Sequence, residues 1–113
     1  LARTLVGIAE YHGLHLLGLP GSELQRAARG RVEFVAEGFA DRRYRPDGTL
    51  VPRTDPNPFV HDPQEVVTQV EWLVRERGVR SVCVHGDNPD AVAFARAIRA
   101  ALVDRGFVPG PFA

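Results

Sequence analysis

Hydrophobic residues recur with helical spacing in four stretches of this chain and form short continuous blocks between them. Such blocks are typical of strands that are covered on both faces of a parallel sheet. Residues 37–60 fit neither period. The predicted elements, in chain order, are a helix at 1–12, a strand at 14–19, a helix at 22–30, a strand at 31–36, a helix at 62–78, a strand at 79–84 and a helix at 89–105.

Local signals support the helix boundaries. Ser22 and Asp62 are good N-cap residues, and Gln25 and Glu65, three residues later, predict a capping box at each helix start. Gly13 follows the first helix, where a left-handed residue ends many helices. Inward-facing stripes are predicted on the last two helices, formed by Val66, Val70, Leu73 and Val74 and by Val92, Ala95, Ile98 and Leu102.

The regular alternation of strands and helices predicts the α/β class, with parallel strands joined by crossover helices. Three strands make a thin sheet, so the pattern fits a few βα units of a barrel better than a complete small fold. The sequence contains no Met and opens within a helical pattern. We therefore expect residues 1–113 to be a single partial domain, the carboxyl-terminal portion of a longer β/α barrel.

Composition indicates which kinds of partner and which cellular compartment to expect. The 113 residues carry 14 basic and 14 acidic side chains, so the zero net charge gives no indication of a nucleic-acid or membrane partner. No apolar run is long enough to span a bilayer. The single cysteine, Cys83, has no partner for an internal disulfide and is interpreted as a small buried hydrophobe. A reducing cytoplasm is the expected location.

The first candidate site follows the strand at 31–36. Two carboxylates, Glu37 and Asp41, and three guanidiniums, Arg42, Arg43 and Arg45, lie within nine residues, at what is predicted to be the carboxyl end of a strand. Guanidiniums bind carboxylates or phosphates, and a carboxylate performs acid–base chemistry. The alternative is a solvated loop whose charges pair with one another. Further along this irregular segment, Arg45-Pro46-Asp47-Gly48 predicts a tight turn.

The second candidate site is His85-Gly86-Asp87-Asn88, directly after the strand at 79–84. His85 exchanges protons near neutral pH, and a neighbouring carboxylate, Asp87, would orient it. His85 and Asp87 also suit a divalent metal ion as ligands, and the simplest alternative is that Asp87 and Asn88 only cap the helix that begins at Pro89. Weaker candidates, interpreted as packing, loop or surface residues, are His12, His15, His61 and Arg53.

Two segments together resemble a known family. The stretch from Val35 to Tyr44, followed by Asp47 to Arg53, resembles the loop signature of the LamB/YcsF family. The stretch from Ser81 to Pro89 resembles the last strand-to-helix turn of that family. The likeness covers essentially the whole chain, and members are about twice as long.

The resemblance implies a distorted TIM-like β/α barrel with helices outside. It also implies the role of the A subunit of an ATP-dependent 5-oxoprolinase, which opens 5-oxoproline to L-glutamate together with 5-oxoprolinase subunits B and C. ATP, with Mg²⁺, would be the co-substrate. Carried over residue by residue, the implied pocket consists of Glu37, Asp41, Arg42, Arg43, His85, Asp87 and Asn88.

We hypothesise that Arg42 or Arg43 binds a carboxylate or phosphate, and that His85, oriented by Asp87, moves protons, with Asp41 as a further catalytic carboxylate. Two other functions stay open at this stage. One is a metal-dependent hydrolase or deacetylase on a similar barrel, with His85 and Asp87 as ligands. The other is a non-catalytic interaction fragment whose polar loop binds a partner.

Overall fold

A computed structural model describes residues 1–111 of the chain and contains the seven predicted elements. The irregular tail was predicted at residues 107–113. The structure describes it as far as residue 111, and its last two residues lie outside the described part. In chain order the elements are α1 (Ala2–His12), β1 (Leu16–Gly18), α2 (Glu23–Ala28), β2 (Phe34–Phe39), α3 (Pro63–Glu76), β3 (Ser81–Cys83) and α4 (Ala91–Asp104).

The three strands form one parallel sheet in the order β1-β2-β3. Leu17 pairs with Val35 across the first strand pair, and Phe39 pairs with Cys83 across the second. Strands that are adjacent in the chain are therefore adjacent in the sheet, and each connection contains a helix. This is the arrangement of consecutive βα units in a barrel, so the predicted α/β class with parallel strands is confirmed.

Strand β2 lies three residues further along the chain than the predicted strand at 31–36. The prediction ended at Ala36 because Glu37 is charged and Gly38 lacks a side chain. A Cβ atom at Gly38 would lie 2.9 Å from Leu73 Cδ1 on α3. Glycine at this position therefore allows α3 to pack directly against the strand, and β2 continues to Phe39.

The inward stripe of α3 is confirmed, because Val66, Val70 and Leu73 are buried and Val74 is partly buried against the core. The stripe predicted for α4 is partly wrong. Ile98 is buried, but Val92 is 65% exposed, Ala95 is exposed, and Phe94 fills the core beside Ile98. The helix begins at Ala91 rather than at Pro89, because Asn88, Pro89 and Asp90 form a turn before it.

Two capping predictions hold in part. The Ser22 side chain accepts the Gln25 N–H at 3.2 Å, while the Gln25 Oε1 atom accepts from Gly21 N rather than from the N-cap itself. Asp62 accepts the Gln64 N–H at 3.1 Å. Glu65 does not close the second capping box, since its carboxylate lies 3.8 Å from the Arg43 guanidinium.

The amino-terminal side of the sheet is less covered than the rest. Helix α1 ends as predicted at Gly13, which has a φ of 64°, and it buries Val6 and Ala9, while Leu5 and Ile8 are exposed. His12 and His15 are exposed, so the packing interpretation for both is wrong. None of the helices within residues 1–111 is long and apolar enough to cross a membrane.

Candidate functional site

The segment after β2 folds back as a hairpin that is held by two isolated antiparallel bridges and is otherwise irregular, as predicted. Arg42 bridges to Phe59, and Tyr44 bridges to Leu50, both in antiparallel fashion. The predicted tight turn closes the hairpin, because Gly48 N donates to the Arg45 carbonyl at 2.9 Å and Gly48 has a φ of 88°. The hairpin therefore leaves the sheet after β2 and returns before α3, and its base lies beside the end of β3.

At that base, Asp41 contacts His85 through both carboxylate oxygens. Oδ2 accepts the backbone N–H of His85 at 2.9 Å, and Oδ1 lies 2.7 Å from the imidazole Nδ1. The Asp41 side chain is 2% exposed, and the His85 side chain is 27% exposed. The carboxylate thus fixes both the backbone and the ring of one histidine, and the imidazole stays partly open to solvent.

The charge state of Asp41 determines which nitrogen of the His85 ring carries the proton. Burial raises the pKa of Asp41, but the hydrogen bonds from the His85 ring and backbone, with the charge of the ring, outweigh burial and hold the pKa below its ordinary value. An ionised carboxylate only accepts hydrogen bonds, so Nδ1 carries a proton and, in the neutral ring, Nε2 is the free acceptor. The Phe39 ring stacks on the imidazole at a centroid distance of 5.4 Å and restricts its plane.

The prediction that Asp87 orients His85 is wrong. Asp41, which is 44 residues away in the chain, occupies Nδ1, and Asp87 is exposed. The prediction that Asn88 caps this helix is wrong, because the N-cap is Asp90; Asn88 Oδ1 instead accepts the backbone N–H of Asp90 at 2.9 Å, within the preceding turn. That bond holds the turn before α4, and the first helical residue comes later than predicted. A role for Asp87 or Asn88 elsewhere in the site stays a prediction.

A glutamine that the sequence reasoning missed holds the turn that carries Asp41. The Gln69 Nε2 atom, on α3, lies 3.1, 3.0 and 2.7 Å from the carbonyl oxygens of Phe39, Ala40 and Arg42. The signal was present, since Gln69 is a polar residue on the inward stripe of Val66 and Leu73. A polar residue at such a position needs a buried partner.

Tyr44 supports the same turn from the hairpin. Its hydroxyl oxygen accepts the Phe39 N–H at 2.9 Å, and its ring packs edge-on against Trp72 with a centroid distance of 5.8 Å. Burial raises the pKa of the Tyr44 hydroxyl above its ordinary value. Tyr44 is therefore a neutral structural residue at physiological pH.

Arg42 is buried without a carboxylate partner among residues 1–111. Its side chain donates from Nη2 to the Val51 carbonyl at 2.8 Å and lies over the Phe59 ring at 5.8 Å. The Nε atom is buried and has no hydrogen-bond partner in this part of the chain. A buried cation ordinarily has an anion beside it, so Arg42 has the chemistry of an anion-binding group.

Arg43 faces away from the dyad of Asp41 and His85. Its Nε atom donates to the Asn57 carbonyl at 3.1 Å, and its guanidinium lies 3.8 Å from Glu65. Together with Tyr44 and Trp72 it lines an open groove of about 760 Å³ between the hairpin and α3. Asp41 and His85 are not among the residues that line this groove, and the predicted roles of the arginines in one pocket stay predictions.

Glu37 lies within strand β2, where it pairs with Ser81, and not in the loop as predicted. Burial, then the charge of Glu37, then that of Asp41 raise the pKa of the Cys83 thiol. The two carboxylates therefore both act on Cys83 through their charge. A thiol with a raised pKa is a poor nucleophile, in agreement with a structural interpretation of Cys83.

The described residues do not by themselves form a metal centre. Within residues 1–111, no group of three or more His, Cys, Asp or Glu side chains is arranged to hold a metal ion. The dyad still provides a defined chemical function: an imidazole with a fixed ring, a protonated Nδ1 and an open Nε2. Such a group accepts a proton from water or donates one to a leaving atom.

Comparison with known proteins assigns the chain to a family. The family model described as LamB/YcsF matches residues 1–113. The chain belongs to the LamB/YcsF family. The resemblance seen in the two sequence segments is thereby confirmed. Because the two segments contain Asp41 and His85 respectively, the dyad is formed by residues from both of the stretches that resembled the family.

Several LamB/YcsF relatives are named as the A subunit of 5-oxoprolinase. The Streptomyces griseus protein is 47% identical over 87% of this chain and 44% of its own length. The Pyrococcus furiosus protein is 40% identical over 94% of this chain and 48% of its own length. The chain therefore spans about half the length of the curated relatives it matches.

A solved structure of a similar protein gives the same fold. The lactam utilization protein from Thermus thermophilus superposes with a TM-score of 0.73 and 30% sequence identity, covering 94% of this chain and 48% of that protein. The partial β/α barrel expected from the strand and helix order is thus confirmed by a relative of known structure.

Proposed function

We propose that this chain belongs to the A subunit of an ATP-dependent 5-oxoprolinase, which opens 5-oxoproline to L-glutamate. The names of the LamB/YcsF relatives support this assignment, as does the word lactam in the name of the structural neighbour. The observation that carries it is the Asp41–His85 dyad at the carboxyl ends of two parallel strands. That edge is where α/β barrels carry out chemistry.

The dyad suits the opening of a lactam. Hydrolysis breaks the ring C–N bond, adds a hydroxyl group to the carbonyl carbon and requires a proton on the departing nitrogen. In this proposal His85 Nε2 takes a proton from the attacking water and returns one to the nitrogen, while Asp41 holds the ring and stabilises the imidazolium. The roles of Glu37, Asp87 and Asn88 in this pocket remain part of the proposal.

The lactam is resonance-stabilised, so its carbonyl must be activated, and ATP is the proposed co-substrate for that step. The feature that fits an anionic substrate is Arg42, whose buried Nε has no partner within residues 1–111. It would bind a phosphate or the substrate carboxylate. Arg43, which is partly exposed beside the groove, is the second proposed anion-binding residue.

The same proposal covers the assembly and the location. Because the relatives are named as subunits, we propose that the protein acts with 5-oxoprolinase subunits B and C. We further propose that residues 1–113 form the carboxyl-terminal part of the barrel as a single partial domain, and that the enzyme works in the cytoplasm.

The test is an assay of the full-length protein, mixed with subunits B and C, for glutamate formed from 5-oxoproline with and without ATP. Glutamate that appears only with ATP would support both the reaction and its coupling. Glutamate without ATP would retain the hydrolase and remove the coupling. If the folded and assembled complex forms no glutamate under either condition, the proposed reaction is wrong.

A further inference from the structure

We infer that Gln69 is a positioning residue, which sets the geometry of the Asp41–His85 dyad through the backbone. Its hydrogen bonds go to backbone carbonyls and not to either side chain of the dyad. It binds the backbone on both sides of Asp41, through the carbonyls of Phe39, Ala40 and Arg42. The expected effect of Gln69 on turnover rests on the proposed function. Its expected effect on the His85 ring does not.

Every backbone carbonyl from residue 39 to residue 42 accepts a hydrogen bond. Three of them accept from Gln69, and the fourth, that of Asp41, accepts from Val60 N at 3.0 Å. On the amide side, Phe39 N donates to the Tyr44 hydroxyl, and Ala40 N donates to the Cys83 carbonyl at 2.9 Å. The turn thus has few unbound backbone groups through which to relax.

Among these contacts, Gln69 supplies the only side-chain donor to carbonyls within the described residues of the turn. A carboxamide nitrogen carries two protons, so the three carbonyls share two donors at distances from 2.7 to 3.1 Å. Its removal would leave partly buried carbonyl oxygens without a donor, and the turn would shift to find water. Asp41 would move with the turn, because its Cα lies between the bound carbonyls.

The consequence reaches His85 through Asp41. The two contacts of the carboxylate with His85, at 2.7 and 2.9 Å, leave little tolerance for displacement. If Oδ1 moves away, Nδ1 no longer has a fixed acceptor, and the neutral ring is free to carry its proton on Nε2 instead. That tautomer cannot accept a proton at Nε2. We therefore expect a fall in kcat by about 10²-fold with little change in KM, as for a small misplacement of a catalytic group.

The experiment compares Gln69→Met with Gln64→Met in the full-length protein. Both changes replace a glutamine on α3 by a side chain of similar length, but Gln64 is exposed near the helix start. The first readout is the imidazole ¹⁵N spectrum, with the His85 signals assigned by their loss in His85→Gln. The second readout is kcat and KM for the assembled enzyme.

Wild type and Gln64→Met should show the neutral His85 ring protonated on Nδ1, and Gln69→Met should show a mixture of tautomers. If Gln69→Met fails to fold, Gln69→Glu serves as the second variant, because it keeps the length of the side chain while its carboxylate cannot donate. An unchanged His85 spectrum in a folded Gln69 variant would overturn the inference. A wild-type protein with the Nδ1 signal but no turnover would instead overturn the proposed function.

Discussion

The loop that follows β2 and the turn that follows β3 bring carboxylates to the same edge of the sheet, yet they are held in different ways. Asp41 is 2% exposed and sits on a backbone whose carbonyls are bound by Gln69 and Val60. Asp87 is exposed, and the bonds that hold its turn are local ones, from Asn88 N to the His85 carbonyl and from Asp90 N to Asn88 Oδ1.

The contrast shows what makes a carboxylate able to orient a histidine. A buried carboxylate must be paired, and Asp41 meets that requirement with two contacts to one residue. Asp87 is exposed and has no such requirement. Asp87 was predicted to orient His85 because it is close in sequence. Asp41 orients it in the structure because it is buried and its backbone is held in place.

The largest expected effect is that of removing the imidazole. We expect His85→Ala to lower kcat for 5-oxoproline opening by about 10²- to 10⁴-fold, since a general acid–base group is lost. The control is His61→Ala, at an exposed histidine whose ring centroid lies 6.5 Å from that of Phe59. The measurement is glutamate formation by the assembled enzyme. Unchanged turnover in His85→Ala would remove the dyad from the mechanism.

The next effect compares the two carboxylates by the same substitution. Asp41→Asn should lower kcat by about 10²-fold, because an amide has only one oxygen for the two donors of His85 and no charge for the imidazolium. Asp87→Asn should lower turnover much less than Asp41→Asn, because Asp87 is exposed and does not hold the His85 ring. The reverse ranking in the glutamate assay would restore the role for Asp87 that the sequence predicted.

Both members of the dyad could be selected from sequence, but their pairing could not. Asp41 follows one strand and His85 follows another, and each was a candidate on that ground alone. The pairing depends on the register, in which Phe39 lies opposite Cys83, so that two residues further on Asp41 comes opposite His85. Register depends on how the hydrophobic patterns of both strands fit the core, and since a long loop and α3 separate β2 from β3, neither strand's own pattern fixes it.

Strand and helix order was predictable for a different reason. Caps such as Asp62 and terminators such as Gly13 act within a few residues, and both functioned as expected. The end of β2 was placed wrongly because Gly38 indicates a break when considered locally. In the fold it is the contact point of Leu73, a residue on a helix that begins more than twenty positions later.

Glycine substitutions extend the comparison between the two sites to stability. Gly38→Ala should lower the free energy of unfolding by about 1–3 kcal/mol, because the added methyl would lie 2.9 Å from Leu73 Cδ1. Gly86→Ala, in the turn after β3, should be close to neutral, since nothing lies within 4 Å of the added methyl and φ is not positive. Urea unfolding measures the stability of both variants, and equal losses of unfolding free energy would contradict the packing explanation.

The smallest expected effect is the contribution of Asp41 to acid stability. Its pKa is lower in the folded protein than the ordinary value of 3.8, because its bonds to His85 outweigh burial. The folded state thus binds fewer protons than the unfolded state in this range. The resulting stabilisation is present above the ordinary pKa and is lost as pH falls through the lower, folded value.

Urea unfolding of wild type and Asp41→Asn from neutral pH down to about pH 3 should therefore give a difference in stability that shrinks towards acid. The comparison with the variant is needed because the pKa of Asp47 is also lowered, through its hydrogen bonds with Thr49. That exposed pair is common to both proteins and cancels in the difference. A difference that stays constant to the acid end would mean that Asp41 is not held as an ion by His85. If Asp87→Asn keeps the acid response of wild type while the stability difference for Asp41→Asn shrinks, the bond to His85 accounts for the electrostatic difference between the two carboxylates.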